Sequence, residues 1–318
     1  MRLGVMIEGQ EGLTWDRWRR LARATEDLGF ASLWRSDHFS SLFGDRAQPA
    51  LETWISLAMA AQETKRVRLG PLVCSMTFRH PSLLARMAAQ VDVLSGGRLE
   101  VGVGAGWNVM EHETFGIEFP PLKARMDMLE EGVQVMQALW AEGNASFSGR
   151  HYRLKDATCH PKPAQTPLPL VIGGTGEKRT LLIAARYASH WNAVGVDPKT
   201  FAEKRAVLER HCAAVGRDPA EIRRSVMGGF ILGRSDADVR GHFQRVVAAM
   251  PPLSQLDAET ALSGLKSRGW LVGTVNEVVE QLGAFEDAGV GEFMLQHHDQ
   301  EDLGVLELIA GEILPQVA

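Results

Sequence analysis

The chain has 318 residues, 45% hydrophobic and 23% charged, which is ordinary for a globular protein and excludes a disordered or fibrous chain. Lys and Arg number 34 against 39 Asp and Glu, a net charge of −5, so no basic footprint for nucleic acid or an anionic membrane exists. The three cysteines, Cys74, Cys159 and Cys212, are too few and too scattered for a disulfide framework or zinc cluster, and a reduced cytoplasm is expected.

Short apolar runs alternate with amphipathic stretches along the chain. The opening Leu3 to Ile7 reads as a strand, not a secretory leader, and no apolar run reaches the roughly 18 residues of a membrane span. Thr14 is placed to cap a helix reaching about Leu28. Ala31 to Trp34 is a second strand. A helix over 51–64 leads to a third strand, Val67 to Val73, and Pro81 suits the first turn of the next helix. Leu99 to Val103 is strand four. An irregular segment, 104–121, precedes a helix over 122–141 and a small hairpin at 144–154. Strands five, six and seven fall at Leu170 to Ile172, 190–194 and Ser225 to Leu232, with a helix at 177–187. Asp197-Pro198 and Asp218-Pro219 each offer a cap before a proline at the first helical position. Thr274-Val275-Asn276-Glu277 is a capping-box pattern. Strand eight is Glu292 to Leu295, and a helix over 302–313 closes the chain.

Eight strands with interleaved helices indicate an α/β fold, a single (β/α)8 TIM barrel over residues 1–318 with insertions at 104–121, 144–168 and 250–272. A doubly wound open sheet is the alternative. Barrels carry their chemistry at the C-terminal ends of the strands. Strand two runs into Ser36-Asp37-His38-Phe39, where an imidazole tuned by a neighbouring carboxylate could move a proton near neutral pH. Strand four runs into Gly104-Ala105-Gly106-Trp107, offering close backbone approach and an aromatic wall. Simple packing explains a glycine-rich strand end equally well. Its third glycine comes one residue too early for a dinucleotide fingerprint. Strand five runs into Gly173-Gly174-Thr175-Gly176, a turn before a helix that could receive a phosphate. Glu8 ends strand one, and His297-His298 ends strand eight without metal-ligand spacing. No metal site is expected.

In this order, Trp34-Arg35-Ser36-Asp37-His38-Phe39, Arg79-His80-Pro81, Leu94-Ser95-Gly96-Gly97-Arg98-Leu99, Gly102 to Asn108, Phe115-Gly116-Ile117, Pro161-Lys162-Pro163 and Gly173-Gly174 resemble the bacterial luciferase-like oxidoreductase superfamily. The likeness spans nearly the whole chain and is strongest to the branch using the 5-deazaflavin coenzyme F420. The resemblance implies an oxidoreductase passing a hydride between the deazaflavin and a small organic substrate. It implies Asp37 and His38 beside the reactive carbon, with His38 as the proton-transfer group. It implies a non-prolyl cis peptide at Leu72-Val73 behind the ring, with Ser75 as a nearby contact. Ala105, Gly106 and Trp107 would follow cofactor and substrate; Ile172, Gly173, Gly174 and Thr175 would lie on the phosphate side; Glu8 would sit in the substrate pocket. Where relatives carry Ala-Asp-Gly-Trp, this chain reads Ala188-Ser189-His190-Trp191, and His190 is expected to reshape that side of the mouth. A homodimer is also expected. The rival expectations are an FMN-dependent monooxygenase and a non-catalytic flavin-binding barrel.

Overall fold

The computed structural model describes residues 1–255 and 257–317. Strand β1 (Arg2–Ile7) buries every residue after Arg2, as a parallel strand covered on both faces should. Helix α1 (Trp15–Asp27) starts where Thr14 accepts the Arg17 amide. Its Trp18 is fully buried, and the indole N–H donates 2.8 Å to the Ser56 carbonyl, tying α1 to α2 (Thr53–Glu63); Trp15 stays exposed. Between these helices lies β2 (Ser32–Arg35), and after them β3 (Arg68–Pro71) and β4 (Cys74–Ser75). Next come α3 (Pro81–Ser95), β5 (Val101–Gly104), α4 (Val109–Phe115), α5 (Leu122–Trp140) and the antiparallel hairpin β6 (Ala145–Ser148) and β7 (Arg153–Ala157). The alternation resumes with β8 (Leu170–Gly173), α6 (Thr180–Tyr187), β9 (His190–Val194), α7 (Pro198–Val215), β10 (Arg223–Gly233) and α8 (Asp236–Ala249). It ends with α9 (Ala258–Ser267), β11 (Leu271–Thr274), α10 (Val275–Asp287), β12 (Glu292–Gln296) and α11 (Leu303–Leu308).

The large sheet is parallel, in the order β3-β2-β1-β12-β10-β9-β8-β5-β4, with β11 on β10. Since β3 and β4 are consecutive halves of one position, and a Leu69–Leu99 bridge links the two ends of that order, the sheet curls into a barrel of eight positions. The architecture is therefore the expected α/β barrel and not an open doubly wound sheet.

Several boundaries differ from the sequence reading. The third strand is broken. Leu69 donates to Arg98 and accepts from Glu100. Pro71 faces the same way two residues later but has no N–H, so the ladder to β5 lapses there and resumes at Cys74 opposite Val103. The Leu72–Val73 peptide in this gap is cis. The segment 104–121 holds α4, capped by Asn108, whose side chain accepts the Glu111 amide. The stretch 250–272 contains α9 and the start of β11. These pack with α8 and the far half of β10 into a small second core around Ile231, Phe243 and Leu265. Asp218-Pro219 opens only one 3₁₀ turn, and the final helix passes through a π-helical turn at Ile309–Ile313.

Candidate active site

A cavity of about 730 Å³ opens at the C-terminal ends of the strands. Its floor is apolar: Met6, Leu72, Val73 and Met227 belong to a cluster filling the barrel interior. Val73 explains much of the glycine pattern. A Cβ on Gly104 or Gly173 would stand 2.9 Å from Val73 side-chain carbons, so these glycines let Val73 lie flat between β5 and β8. Their first role is packing, which for Gly104 is the plainer of the two readings that the sequence allowed.

β2 delivers the polar wall. Arg35 is fully buried; it donates to the carbonyls of Ser36 and Leu51 and to the Ser56 hydroxyl, fixing the turn that follows. Burial pushes its pKa down to about 10. Asp37 accepts both Arg79 guanidinium nitrogens, at 2.5 and 3.0 Å. Burial works against its charge, but the Arg79 charge and hydrogen bonds win and hold the carboxyl below its ordinary value.

His38 does not take Asp37 as its hydrogen-bonding partner. Its Nδ1 lies 2.6 Å from Glu111 Oε2, and the neighbouring Asp37 carboxylate adds only a lesser charge effect. Asp37 tunes the imidazole through its charge alone: Arg79 takes its hydrogen bonds, and the carboxylate reaching the imidazole comes from α4. Glu111 is fully buried, accepts the Phe39 amide at 2.6 Å and is held by the Asn108 side-chain amide at 2.8 Å. Burial disfavours the imidazolium, yet the Glu111 hydrogen bond and nearby carboxylates outweigh it and raise the His38 pKa above 6.5. The same pairing lowers Glu111 against its own burial. With Nδ1 engaged, Nε2 is the ring nitrogen left free of Glu111, and His38 lines the cavity. Glu111 was not singled out in the sequence; Asn108-x-x-Glu111, a capping pattern opening a short helix, was the available signal.

The remaining expected residues fall as follows. Glu8 lines the cavity and is buried, its carboxylate accepting from the side-chain amides of Gln10, at 2.7 Å, and Gln296. Ser75 also lines it and shares a hydrogen bond with Thr77, which in turn meets His112 Nε2. Ala105, Gly106 and Trp107 form one wall, with Trp107 edge-on to His38 at 5.7 Å between centroids. Gly173 and Gly174 lie at the β8 end. Ile172 points into the core, and Thr175 is not among the lining residues. Asn192, Gln296 and Met227 line the cavity without having been anticipated.

His190 is also elsewhere. It starts β9 at the opposite end of the barrel, fully buried between Glu100, at 3.1 Å, and the Ser225 hydroxyl, at 2.7 Å. Glu100 pairs there with Arg68 and Arg223 as well. The departure from Ala-Asp-Gly-Trp changes the barrel bottom, not the mouth, because the residue lies at the strand's N-terminal end. His297 and His298 are buried against Phe230 and Trp270 and do not line the cavity. Among the described residues, no group of three or more His, Cys, Asp or Glu is placed to hold a metal.

A paired histidine at the strand C-termini of an α/β barrel, facing an apolar cleft, defines a barrel enzyme. The chain belongs to the luciferase-like monooxygenase family, whose model matches residues 1–292. It is 28% identical over 309 residues to an F420-dependent glucose-6-phosphate dehydrogenase of Microbacterium testaceum (strain StLB037), covering 92% of this chain and 90% of that one. It is also 28% identical over 341 residues to an F420-dependent hydroxymycolic acid dehydrogenase of Mycobacterium tuberculosis (strain ATCC 25618 / H37Rv), covering 99% and 88%. Among solved structures, an F420-dependent secondary alcohol dehydrogenase in complex with an F420-acetone adduct matches with a TM-score of 0.85 and 25% identity, over 100% of this chain and 99% of that one.

Proposed function

We propose that the protein is an F420-dependent oxidoreductase that interconverts an alcohol and its carbonyl compound. The observation that carries this reading is the His38–Glu111 pair, with Glu111 buried and His38 lining a largely apolar cavity. Two dehydrogenase relatives and a structural neighbour whose names specify F420 support the cofactor.

The residues present fit such a group. The face formed by Leu72 and Val73 suits a planar ring. Gly174, at φ +117, leaves backbone uncovered, with only Thr180 Cγ2 within 4 Å of where a Cβ would stand. The first turn of α6 beyond it has no side-chain cap, which suits an anionic tail. Leu72, Val73, Ser75, Ala105, Gly106 and Trp107 would hold the ring, and Gly173 and Gly174 the phosphate side. When bound, the deazaflavin supplies a carbon that accepts or gives hydride. His38 Nε2 takes the hydroxyl proton during alcohol oxidation and returns it to the carbonyl oxygen in reduction. Glu111 fixes the ring and stabilises the imidazolium. Glu8, held by Gln10 and Gln296, faces the substrate, and the apolar walls exclude water.

A pH prediction follows from Glu111. As a base His38 must be neutral, so alcohol oxidation rises with pH through its raised pKa. Glu111→Gln removes the main raising influence and leaves burial, so the rising limb moves to lower pH. A pH–rate profile of both proteins, with the ring titrated by NMR, checks this; an unmoved limb contradicts the pairing. The sign for stability is the reverse. A histidine raised on folding contributes fully below its ordinary 6.5 and loses that contribution as pH climbs through the folded value.

The reading also includes a homodimer working in the cytoplasm. Ile55 of α2 and Leu83 and Leu94 of α3, helices that pack against each other, are exposed apolar side chains and support self-association. Light scattering should return twice the chain mass; a monomer mass at working concentration contradicts this part. Cys74, Cys159 and Cys212 are free thiols, in keeping with a reducing compartment, and no helix among the described residues is long and apolar enough to cross a membrane.

A further inference from the structure

We propose that the substrate is a neutral, largely apolar alcohol or ketone, and not a phosphorylated or carboxylated one. The inference rests on the reading above and narrows its substrate class. Among the described residues, no Lys or Arg side chain lines the cavity. The nearby guanidiniums are committed or outside. Arg79 is spent on Asp37 and Glu52. Arg35 is buried, with its donors on Ser36, Leu51 and Ser56. Arg46 is exposed and touches the cavity residue Met110 through a single contact.

The charge that does face the cavity is negative. Glu8 is 5% exposed and is held by two neutral amides, with no cation bonded to it. A phosphate or carboxylate on the substrate would lose its water beside a carboxylate, and the one lining group that can carry a positive charge, His38, is already paired with Glu111. A hydroxyl, by contrast, carries no charge to be repelled there and has one proton to give, to His38.

The opening tells the same story. Leu122 and Val194 line the cavity yet stand 61% and 49% exposed. Large apolar side chains gathered at a cavity mouth are a surface that an apolar ligand body covers favourably. The site thus offers a few polar contacts inside, among them Glu8 and His38, and apolar contact at its opening.

The test uses F420-loaded protein and compares 2-octanol, 2-propanol and glucose 6-phosphate. Initial rates come from deazaflavin absorbance, and binding from tryptophan fluorescence, with and without the cofactor. The expected result is a kcat/KM for 2-octanol at least about tenfold above that for glucose 6-phosphate. Leu122→Lys, at an exposed position, should lower the 2-octanol value about tenfold, as expected when an apolar contact of that size is replaced by a solvated charge, and affect 2-propanol less. Glucose 6-phosphate turned over as well as 2-octanol would overturn the inference and leave hydride transfer standing. A fluorescence response to 2-octanol without turnover, or without F420 uptake, would uphold the pocket's class and overturn the reaction. A response to glucose 6-phosphate alone would overturn the class whatever the cofactor does. No turnover and no response to either alcohol would overturn both.

Discussion

His38→Ala lowers turnover by about 10²–10⁴-fold, the usual worth of a positioned general acid or base, while F420 affinity changes little. The imidazole is assigned to the substrate proton and not to anchoring the cofactor. Its setting favours a clean result. Nδ1 is engaged by Glu111, and the Phe39 amide is held by the same carboxylate, so the loop keeps a tie when the ring is removed. Steady-state rates with the alcohol substrate, set beside a fluorescence titration of F420, separate the two effects. Equal losses in affinity and turnover would mean that His38 holds the cofactor instead.

Arg79→Met costs about 3–5 kcal/mol of stability, the range for breaking a buried ion pair from one side. The reason is what remains. Asp37 is 3% exposed, its charge kept by Arg79 at 2.5 and 3.0 Å. Without that partner it must be buried as an unpaired carboxylate or take up a proton. Asp37→Asn in the Arg79→Met background removes the stranded charge and should recover part of the loss, and denaturant unfolding of the four proteins measures the coupling. Because Asp37 is depressed on folding, the pair stabilises above the ordinary carboxylate range and loses that contribution as pH falls through the folded value. Independent, additive losses in the two single variants would contradict a coupled pair.

Much of the barrel was readable because parallel strands covered on both faces appear as short, nearly continuous apolar runs. Leu3–Ile7 and 190–194 match their strands closely for this reason. The break in strand three was not readable from periodicity. Leu69-Gly70-Pro71-Leu72-Val73 looks like one apolar run, and the lapse depends on which neighbour Pro71 faces. The cis bond between Leu72 and Val73 came from resemblance alone. The glycines of β5 and β8 were visible, but the side chain they accommodate, Val73, comes from a different strand. The site divides in the same way. Residues at strand ends, such as Glu8, His38, Ser75 and Gly174, reach the cavity because every barrel strand ends there. Glu111 was missed because its segment lacks apolar periodicity and was read as irregular, although it folds into α4. His190 was misplaced because the motif was weighed apart from its strand: as the first residue of 190–194 it belongs to the N-terminal end of the barrel.

Every role assigned to the cavity depends on which cofactor it takes. Coenzyme F420 and FMN are titrated separately into the protein, each followed by quenching of its own fluorescence. F420 should bind more tightly than FMN, in a site formed by Leu72, Val73 and Gly106 on the ring side and Gly174 on the phosphate side. Micromolar FMN binding with no detectable F420 binding would contradict it and make the protein a flavin-dependent monooxygenase on the same barrel.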